Sequence, residues 1–144
     1  MASGAIPAFG SFLQVGDGAT PENFTTIAEI INGPEFGIKS TMKDVTSHSS
    51  PGGFMEKKPT LQEVSDIPLS VNFNPVGATH GYQTGLLKRK KNQTLDNYRI
   101  VWSDVGTTTW TFAAYVSEFK VKGKFDEILT ADIVLTPSGA PGLV

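Results

Sequence analysis

The sequence predicts a mainly β domain, an antiparallel sandwich or barrel-like fold with one flanking α-helix. Three observations support this class. The 144 residues are enough for one domain with a hydrophobic core. Several segments alternate apolar with polar side chains, and turns rich in Gly, Pro and Asn separate them. Abundant Thr, Ser, Asn and Gly, with a charged share of only 18%, favour strands and turns over long helices.

The N-terminal third predicts an arm followed by strands. Residues 1–8 are mostly small and include Gly and Pro, which is typical of a terminal arm. Apolar-rich runs bounded by turn residues predict strands at 9–15, 24–31 and 36–42. Three isoleucines in 24–31 also have helical spacing, so a short helix is the alternative there. The Thr and Ile content of that segment favours the strand.

Residues 47–60 are the least regular stretch and predict a long loop. The run SHSSPGGFMEKKP is polar, rich in Gly and Pro, and without period. Loops longer than about twelve residues are uncommon in compact domains and are usually functional or disordered. An apolar pair stands in these hydrophilic surroundings, so we expect the loop to become ordered against another subunit. The predicted interface residues are Ser49, Pro51, Gly52, Gly53, Phe54, Met55 and Glu56.

The rest of the chain predicts one helix, further strands and a second arm. The helix is placed at 79–91, with Thr79 as its cap and four basic residues in its last turns. The apolar phase of the longest strand slips near Ser117-Glu118, which predicts a β-bulge. Alternating apolar residues predict strands at 67–73, 98–102, 110–121 and 129–135, and the arm follows at 137–144.

The charge distribution argues against a protein that grips nucleic acid. The net charge is −2, and residues 88–91 concentrate four of the twelve positive charges in one place. A mildly acidic body with one basic spot lacks the broad basic face of such proteins. Cations near the C-terminus of a helix are stabilised by its dipole, which is our interpretation of this cluster. Contact with a phosphate or with an acidic partner is the alternative.

No group of residues predicts catalysis, a cofactor or a metal. Cysteine is absent, and His48 and His80 are expected to face solvent without further ligands. The loop around Ser47–Ser50 cannot hold the aligned hydrogen bonds that activate a nucleophile. The adjacent carboxylates of Asp126 and Glu127 point to opposite faces of a strand. We therefore expect a structural protein and not an enzyme, with no membrane span.

The order of these elements resembles the major tail tube proteins of long-tailed bacteriophages and related phage-like particles. Residues 24–34 (FTTIAEIINGP) resemble the family's strand that ends in a Gly-Pro turn. Residues 44–56 (DVTSHSSPGGFME) resemble its Asp-Val-Thr-Ser segment, which leads into a Gly-rich loop and an acidic residue. Residues 135–139 (LTPSG) resemble its last strand, which closes on Ser-Gly before a short tail. The resemblance spans nearly the whole chain.

This resemblance implies a structural virion protein of the tail that is made in the host cytoplasm. Subunits would form stacked hexameric rings, joined through the long loop and the arms. Tape-measure, tail-terminator and tail-tip proteins would be further partners, and DNA would pass through the tube at ejection without specific binding. Glu29 and Asp132 are the candidates for side chains that face the lumen, because they alternate with apolar neighbours in predicted strands. The basic cluster would lie outside the tube.

Two other functions remain open from the sequence. The inner tube of a contractile tail or secretion machine shares the fold that the resemblance implies. A β-sandwich module that binds carbohydrate or protein is the second alternative, although it would normally carry a signal peptide.

Overall fold

Two antiparallel sheets make up the part of the chain that the computed structural model describes, residues 3–32 and 34–143. The large sheet has the strand order β2-β1-β7-β8-β9-β6-β3, and β10 pairs with β8 outside this path. Its strands are β1 (Phe12–Gly16), β2 (Phe24–Thr26), β3 (Ile30–Asn32), β6 (Ile67–Asn72), β7 (Asp96–Val101), β8 (Thr109–Lys122), β9 (Thr130–Pro137) and β10 (Gly142–Leu143). The small sheet is the hairpin β4 (Ile38–Asp44) and β5 (Lys57–Val64).

The 14-residue strand β8 joins the two halves of the large sheet. Its first half pairs with β7, from Thr109 to Ala114, and its second half pairs with β9. The register shifts between Val116 and Glu118, which confirms the bulge expected from the slip in apolar phase. A bulge bends its strand and increases the local twist. The bend lets the two halves face each other across one core.

The core forms from the inward faces of both halves and from the helix. Tyr98 and Phe112 stack with ring centroids 6.0 Å apart, and Leu86 of the helix is fully buried. Inward residues are spaced by two along each strand, as the alternation predicts. The buried apolar set is Leu13, Val15, Ile27, Ile67, Leu69, Val71, Leu86, Tyr98, Ile100, Phe112, Ala114, Val116, Ala131, Ile133 and Leu135.

The predicted strand 24–31 is wrong as a single element. β2 and β3 are separate three-residue strands at opposite edges of the large sheet, and residues 27–29 cross between them. Ile27 is buried and donates its N–H to the Leu13 carbonyl, whereas Glu29 has a φ of 62°. A positive φ is uncommon in a residue with a side chain and takes the backbone out of an extended strand. The Gly33 position of the predicted turn lies outside the described residues.

The helix is shorter than predicted. α1 (Leu86–Asn92) replaces the expected 79–91, and residues 75–85 form successive turns. Thr79 does not cap the helix; its Oγ1 accepts the N–H of Ala28 at 3.2 Å. Gly81 and Gly85 permit these tight turns, because a Cβ at Gly85 would lie 2.5 Å from the backbone nitrogen of Gly81.

Regular structure also replaces part of the predicted loop and C-terminal arm. β5 covers residues 57–60 of the predicted 47–60 loop, so the irregular part is the tip of a hairpin. Pro137 belongs to β9, and Gly142 and Leu143 pair with Thr111 and Trp110 of β8. Residues 3–8 have no helix or strand. Residues 1, 2 and 144 of the two predicted arms lie outside the described residues.

Candidate assembly surfaces

The β4–β5 hairpin projects from the domain with almost no burial of its own. Every residue of β4 is exposed, and Val64 at the root is the one buried residue of β5. Apolar side chains on it remain largely in solvent: Leu61 is 78% exposed and Met42 is 50% exposed. A two-stranded hairpin without a covering layer is marginally stable in water. The hairpin therefore has the character of a segment that needs a partner surface.

Hydrogen bonds between side chains and backbone organise the hairpin tip. The Ser50 hydroxyl donates to the Glu56 carboxylate at 2.9 Å and accepts the N–H of Ser47 at 2.9 Å. The Thr46 hydroxyl accepts the Glu56 N–H at 2.8 Å. Bonds from the Thr46 side chain and backbone hold the pKa of Asp44 below its usual value. The tip is thus a built turn and not a structureless loop.

A 3₁₀ turn at Pro51–Gly53 presents the predicted apolar pair to solvent. Gly52 and Gly53 both have positive φ, and a Cβ on Gly52 would approach the Phe54 ring to 3.1 Å. Phe54 is 76% exposed and Met55 is 67% exposed. All of the predicted loop residues lie at this tip: Ser49, Pro51, Gly52, Gly53, Phe54, Met55 and Glu56. Their role in an interface stays a prediction.

The two predicted lumen residues lie on one face of the large sheet. Asp132 stands opposite Ser70 in the β6–β9 register and accepts its hydroxyl at 2.9 Å. Glu29 reaches the same face of β6 and accepts the side-chain amide of Asn72 at 3.2 Å. This polar face, formed by the outward side chains of β3, β6, β9 and the second half of β8, is opposite the core face.

Positive charges share the polar face with these carboxylates. Lys120 is directly opposite Asp132, and Lys122 forms an ion pair with it. Hydrogen bonds from Lys122 and Ser70 hold the pKa of Asp132 below its usual value. The positive charge of Lys122 therefore balances the negative charge of Asp132, whereas Glu29 has no ion pair within the described residues. Alternation along one strand does not predict this difference, because the lysines come from another strand.

Two of the four basic residues at 88–91 interact with other side chains of the chain. The Arg89 guanidinium lies 3.2 Å from the Asp96 carboxylate and donates to the Thr84 carbonyl at 2.9 Å. Lys91 lies over the ring of Tyr82, 5.1 Å from its centroid, and bonds to its hydroxyl at 2.6 Å. Arg89 thus links α1 to the start of β7 through this ion pair.

His80 is buried, which corrects the expectation of a solvent-facing histidine. It is 1% exposed, and its ring stacks on Phe73 with centroids 6.2 Å apart. Nδ1 accepts the N–H of Asn74 at 3.3 Å, and Nε2 donates to the carbonyl of Ala28 at 2.6 Å. Because only a neutral ring can both accept and donate, these partners define the tautomer. His80 joins the β6–α1 turns to the crossing segment 27–29.

The described residues contain no cluster of three or more His, Cys, Asp or Glu side chains arranged to hold a metal ion. Among the same residues, no helix is both long and apolar enough to cross a membrane. The surface features that remain to be explained are the exposed apolar side chains and the uncovered β4–β5 hairpin.

Solved structures of tail and tube assemblies have the same fold. A chain in the virion of a native gene transfer agent particle superposes with a TM-score of 0.73 at 14% identity, covering 97% of this chain and 99% of that one. The tail of the empty particle, determined with C6 symmetry, gives a TM-score of 0.70 at 17% identity, with 92% and 95% coverage. This is the tail-tube fold.

Two further assemblies extend the comparison. The SPP1 tail tube gives a TM-score of 0.67 at 12% identity, over 96% of this chain and 80% of that one. The sheath–tube complex of an extracellular contractile injection system gives 0.64 at 16% identity, over 99% and 95%. No protein-family model matches the sequence, and no curated protein matches it. The tail-tube fold is therefore visible in the structure although the sequences are only 12–17% identical.

The sequence did not predict two features of the surface. β5 was missed because its apolar residues do not alternate; its only signal is the pairing of charges across the hairpin, such as Lys39 with Glu63 at 3.3 Å. Phe125 and Ile128 in the β8–β9 connection are 108% and 74% exposed, and no residue pattern separates them from core positions. Both features belong to surfaces that a single copy leaves uncovered.

Proposed function

We propose that this chain is a structural subunit that polymerises into a tail tube. The hairpin carries the proposal: a two-stranded element with Leu61, Phe54 and Met55 in solvent has no covering layer in one copy. A neighbouring copy supplies that layer in a homopolymer. The tail-tube fold of assembled tails and injection tubes supports the same conclusion.

The proposed assembly is a stack of six-membered rings. The C6 symmetry of the gene transfer agent tail supports this number of subunits per ring. Closed rings remove the free sheet edges that would otherwise aggregate. Tape-measure, tail-terminator and tail-tip proteins are the proposed further partners, and the virion tail is the proposed location, reached after synthesis in the host cytoplasm. The function is structural, not enzymatic.

We assign the polar face of β3, β6, β9 and β8 to the lumen, where DNA passes without capture. On this face three carboxylates, Glu29, Glu118 and Asp132, stand against Lys120 and Lys122, and a small excess of negative charge does not favour binding of phosphates. Glu29 gives the cleaner test, because replacing Asp132 also leaves Lys122 unpaired.

Charge reversal at Glu29 tests this face. Tubes of Glu29→Lys should retain DNA at low salt and release it as salt rises, because counterion release now favours binding. Asp66→Lys makes the same charge change at an exposed residue at the root of the hairpin and should not retain DNA. Equal retention by the two variants, or none by either, would show that Glu29 faces elsewhere.

The polymer itself is tested by electron microscopy. The purified protein, concentrated and stained, should show rings or tubes. Phe54→Ala should raise the concentration needed for assembly, because burial of a Phe contributes about 1.5–3 kcal/mol. Leu95→Ala is a matched control, since Leu95 is 49% exposed and lies in the connection between α1 and β7. A wild-type protein that stays monomeric at every concentration would contradict the proposed function.

The inner tube of a contractile machine is a second candidate function. The observation in its favour is the likeness to the contractile injection sheath–tube complex over 99% of this chain. The two functions share the proposed polymer and differ in whether a sheath surrounds it. Co-purification of the assembled tubes with a contractile sheath protein would decide for the second.

A further inference from the structure

A groove of about 460 Å³ lies at the end of the molecule where β8 begins. The N-terminal segment, including Ile6 and Pro7, forms one wall, and Trp102, Ser103 and Trp110 form the other. The Ser103 hydroxyl joins the two walls by donating to the Pro7 carbonyl. The groove thus offers largely apolar walls.

An exposed apolar loop lies at the other end of β8. Residues 123–129 connect β8 to β9, and they carry Phe125 and Ile128, which are 108% and 74% exposed. The carboxylates of Asp126 and Glu127 stand between these two side chains in the sequence. This β8–β9 loop therefore presents two exposed apolar side chains, which match the apolar walls of the groove.

The strand itself sets the geometry between the loop and the groove. The groove lies beside the first residues of β8 and the loop follows its last residue, so the 14 residues of the strand separate them. Two different and complementary surfaces at opposite ends of a subunit produce head-to-tail contacts between copies.

We propose that the tryptophan groove of one copy receives the β8–β9 loop of the next copy. Phe125 enters between Trp102 and the N-terminal segment. This contact rests on the proposed tube function and adds an axial joint to the hairpin contact. Both surfaces are provided by this chain, so a second copy is the occupant.

The position of the hairpin root argues against the hairpin tip as the occupant. Phe36, two residues before β4, packs on Trp110 with ring centroids 5.2 Å apart. The root of the hairpin therefore lies at the same end of the molecule as the groove. In a head-to-tail stack, the end of the next copy that meets the groove is the end with the β8–β9 loop.

Cross-linking tests the pairing directly, because the natural chain has no cysteine. Val105 is 107% exposed beside Asp104 at the rim of the groove. The double variant Val105→Cys/Asp126→Cys, assembled and treated with a short thiol cross-linker, should give a ladder of multimers. Each single-cysteine variant should form no ladder, because each copy then carries only one thiol.

Three outcomes would separate the possibilities. A ladder from Val105→Cys/Phe54→Cys in place of the first pair would assign the groove to the hairpin tip and overturn the proposal. If the wild type forms tubes but the assembled Val105→Cys/Asp126→Cys variant gives no ladder, the proposal is overturned while the tube function stays intact. Absence of any wild-type assembly would overturn both.

The two tryptophans provide an independent readout, since both line the groove. Their emission should shift to shorter wavelength on assembly. Phe125→Ala should raise the protein concentration needed for this shift about tenfold or more. The folded monomer should be unaffected, since Phe125 is fully exposed there. An unchanged concentration dependence in Phe125→Ala would contradict the proposal.

Discussion

His80 and Thr79 are buried, and both bond to Ala28, which is distant in the sequence. Both residues were expected at the start of a helix. A polar residue in a Gly-rich segment gives no sign of such a partner. The inward apolar residues of β6, β8 and β9, in contrast, were predictable, because burial of one sheet face imposes a period of two.

Replacing His80 should destabilise the domain. His80→Ala removes the acceptor of the Asn74 N–H and the donor to the Ala28 carbonyl, and it leaves a cavity beside Phe73. We expect a loss of about 2–4 kcal/mol in the free energy of unfolding, measured by urea denaturation. His48→Ala, at an exposed position of the hairpin tip, should change it little. Equal stability of the two variants would mean that the buried bonds contribute nothing.

Replacing Tyr98 by Phe should preserve or raise stability. Tyr98 is fully buried, and its hydroxyl has no hydrogen-bond partner among the residues that the structure describes. Burial, reinforced by the Asp96 carboxylate, raises the pKa of Tyr98, so the hydroxyl stays neutral at working pH. An unsatisfied buried polar group costs about 1–3 kcal/mol. A lower unfolding midpoint for Tyr98→Phe would reveal a buried water or another partner for the hydroxyl.

At the scale of elements, β5 and the two sheet edges escaped prediction, whereas most of β4 was predicted as the strand 36–42. β5 buries almost nothing in one copy, so its sequence carries no core-facing alternation to detect. β2 and β3 read as one strand because the break at Glu29 is a matter of backbone angle and not of hydrophobicity. The positions of β6, β7, β8 and β9 were predicted closely, since each has a face in the core.

The ion pair across β8 and β9 should produce a small acid sensitivity. A carboxylate whose pKa is lowered by folding contributes stability at pH values above its ordinary value of 3.8 and loses it as the pH falls below that value. The free energy of unfolding of Asp132→Asn should therefore fall less steeply than that of the wild type below about pH 3.8. Both side chains of the pair are partly exposed, so we expect a contribution of about 0.2–1 kcal/mol at neutral pH. Glu63→Gln, in the exposed pair with Lys39, provides the comparison.

The hairpin should be the least protected sheet in the monomer. Its strands bury almost nothing within the copy, so its amides should exchange with solvent far faster than those of β7 and β8. In assembled tubes they should become protected by a large factor. Hydrogen exchange measured on both states by mass spectrometry checks this, and strong protection of 38–64 in the monomer would refute it.

For the whole molecule, the fold class and the tail-tube fold were inferred correctly from the sequence, whereas the proposed contact surfaces were only partly inferred. The Gly-rich tip was identified because it lacks the features of a self-contained domain. The groove between the N-terminal segment and Trp102 depends on residues some hundred positions apart, such as Pro7 and Ser103, so no local signal predicts it.

The exposed hairpin also bears on the kinetics of growth. A free subunit that joins another free subunit must order the hairpin against a surface that is itself not yet fixed. A subunit that joins a finished ring meets a rigid template, so less conformational entropy is lost at the site of addition. Tube growth should therefore show a lag that preformed tube fragments abolish. Light scattering after dilution into assembly conditions would measure it, and growth without a lag at every concentration would mean that the hairpin is already ordered in the free subunit.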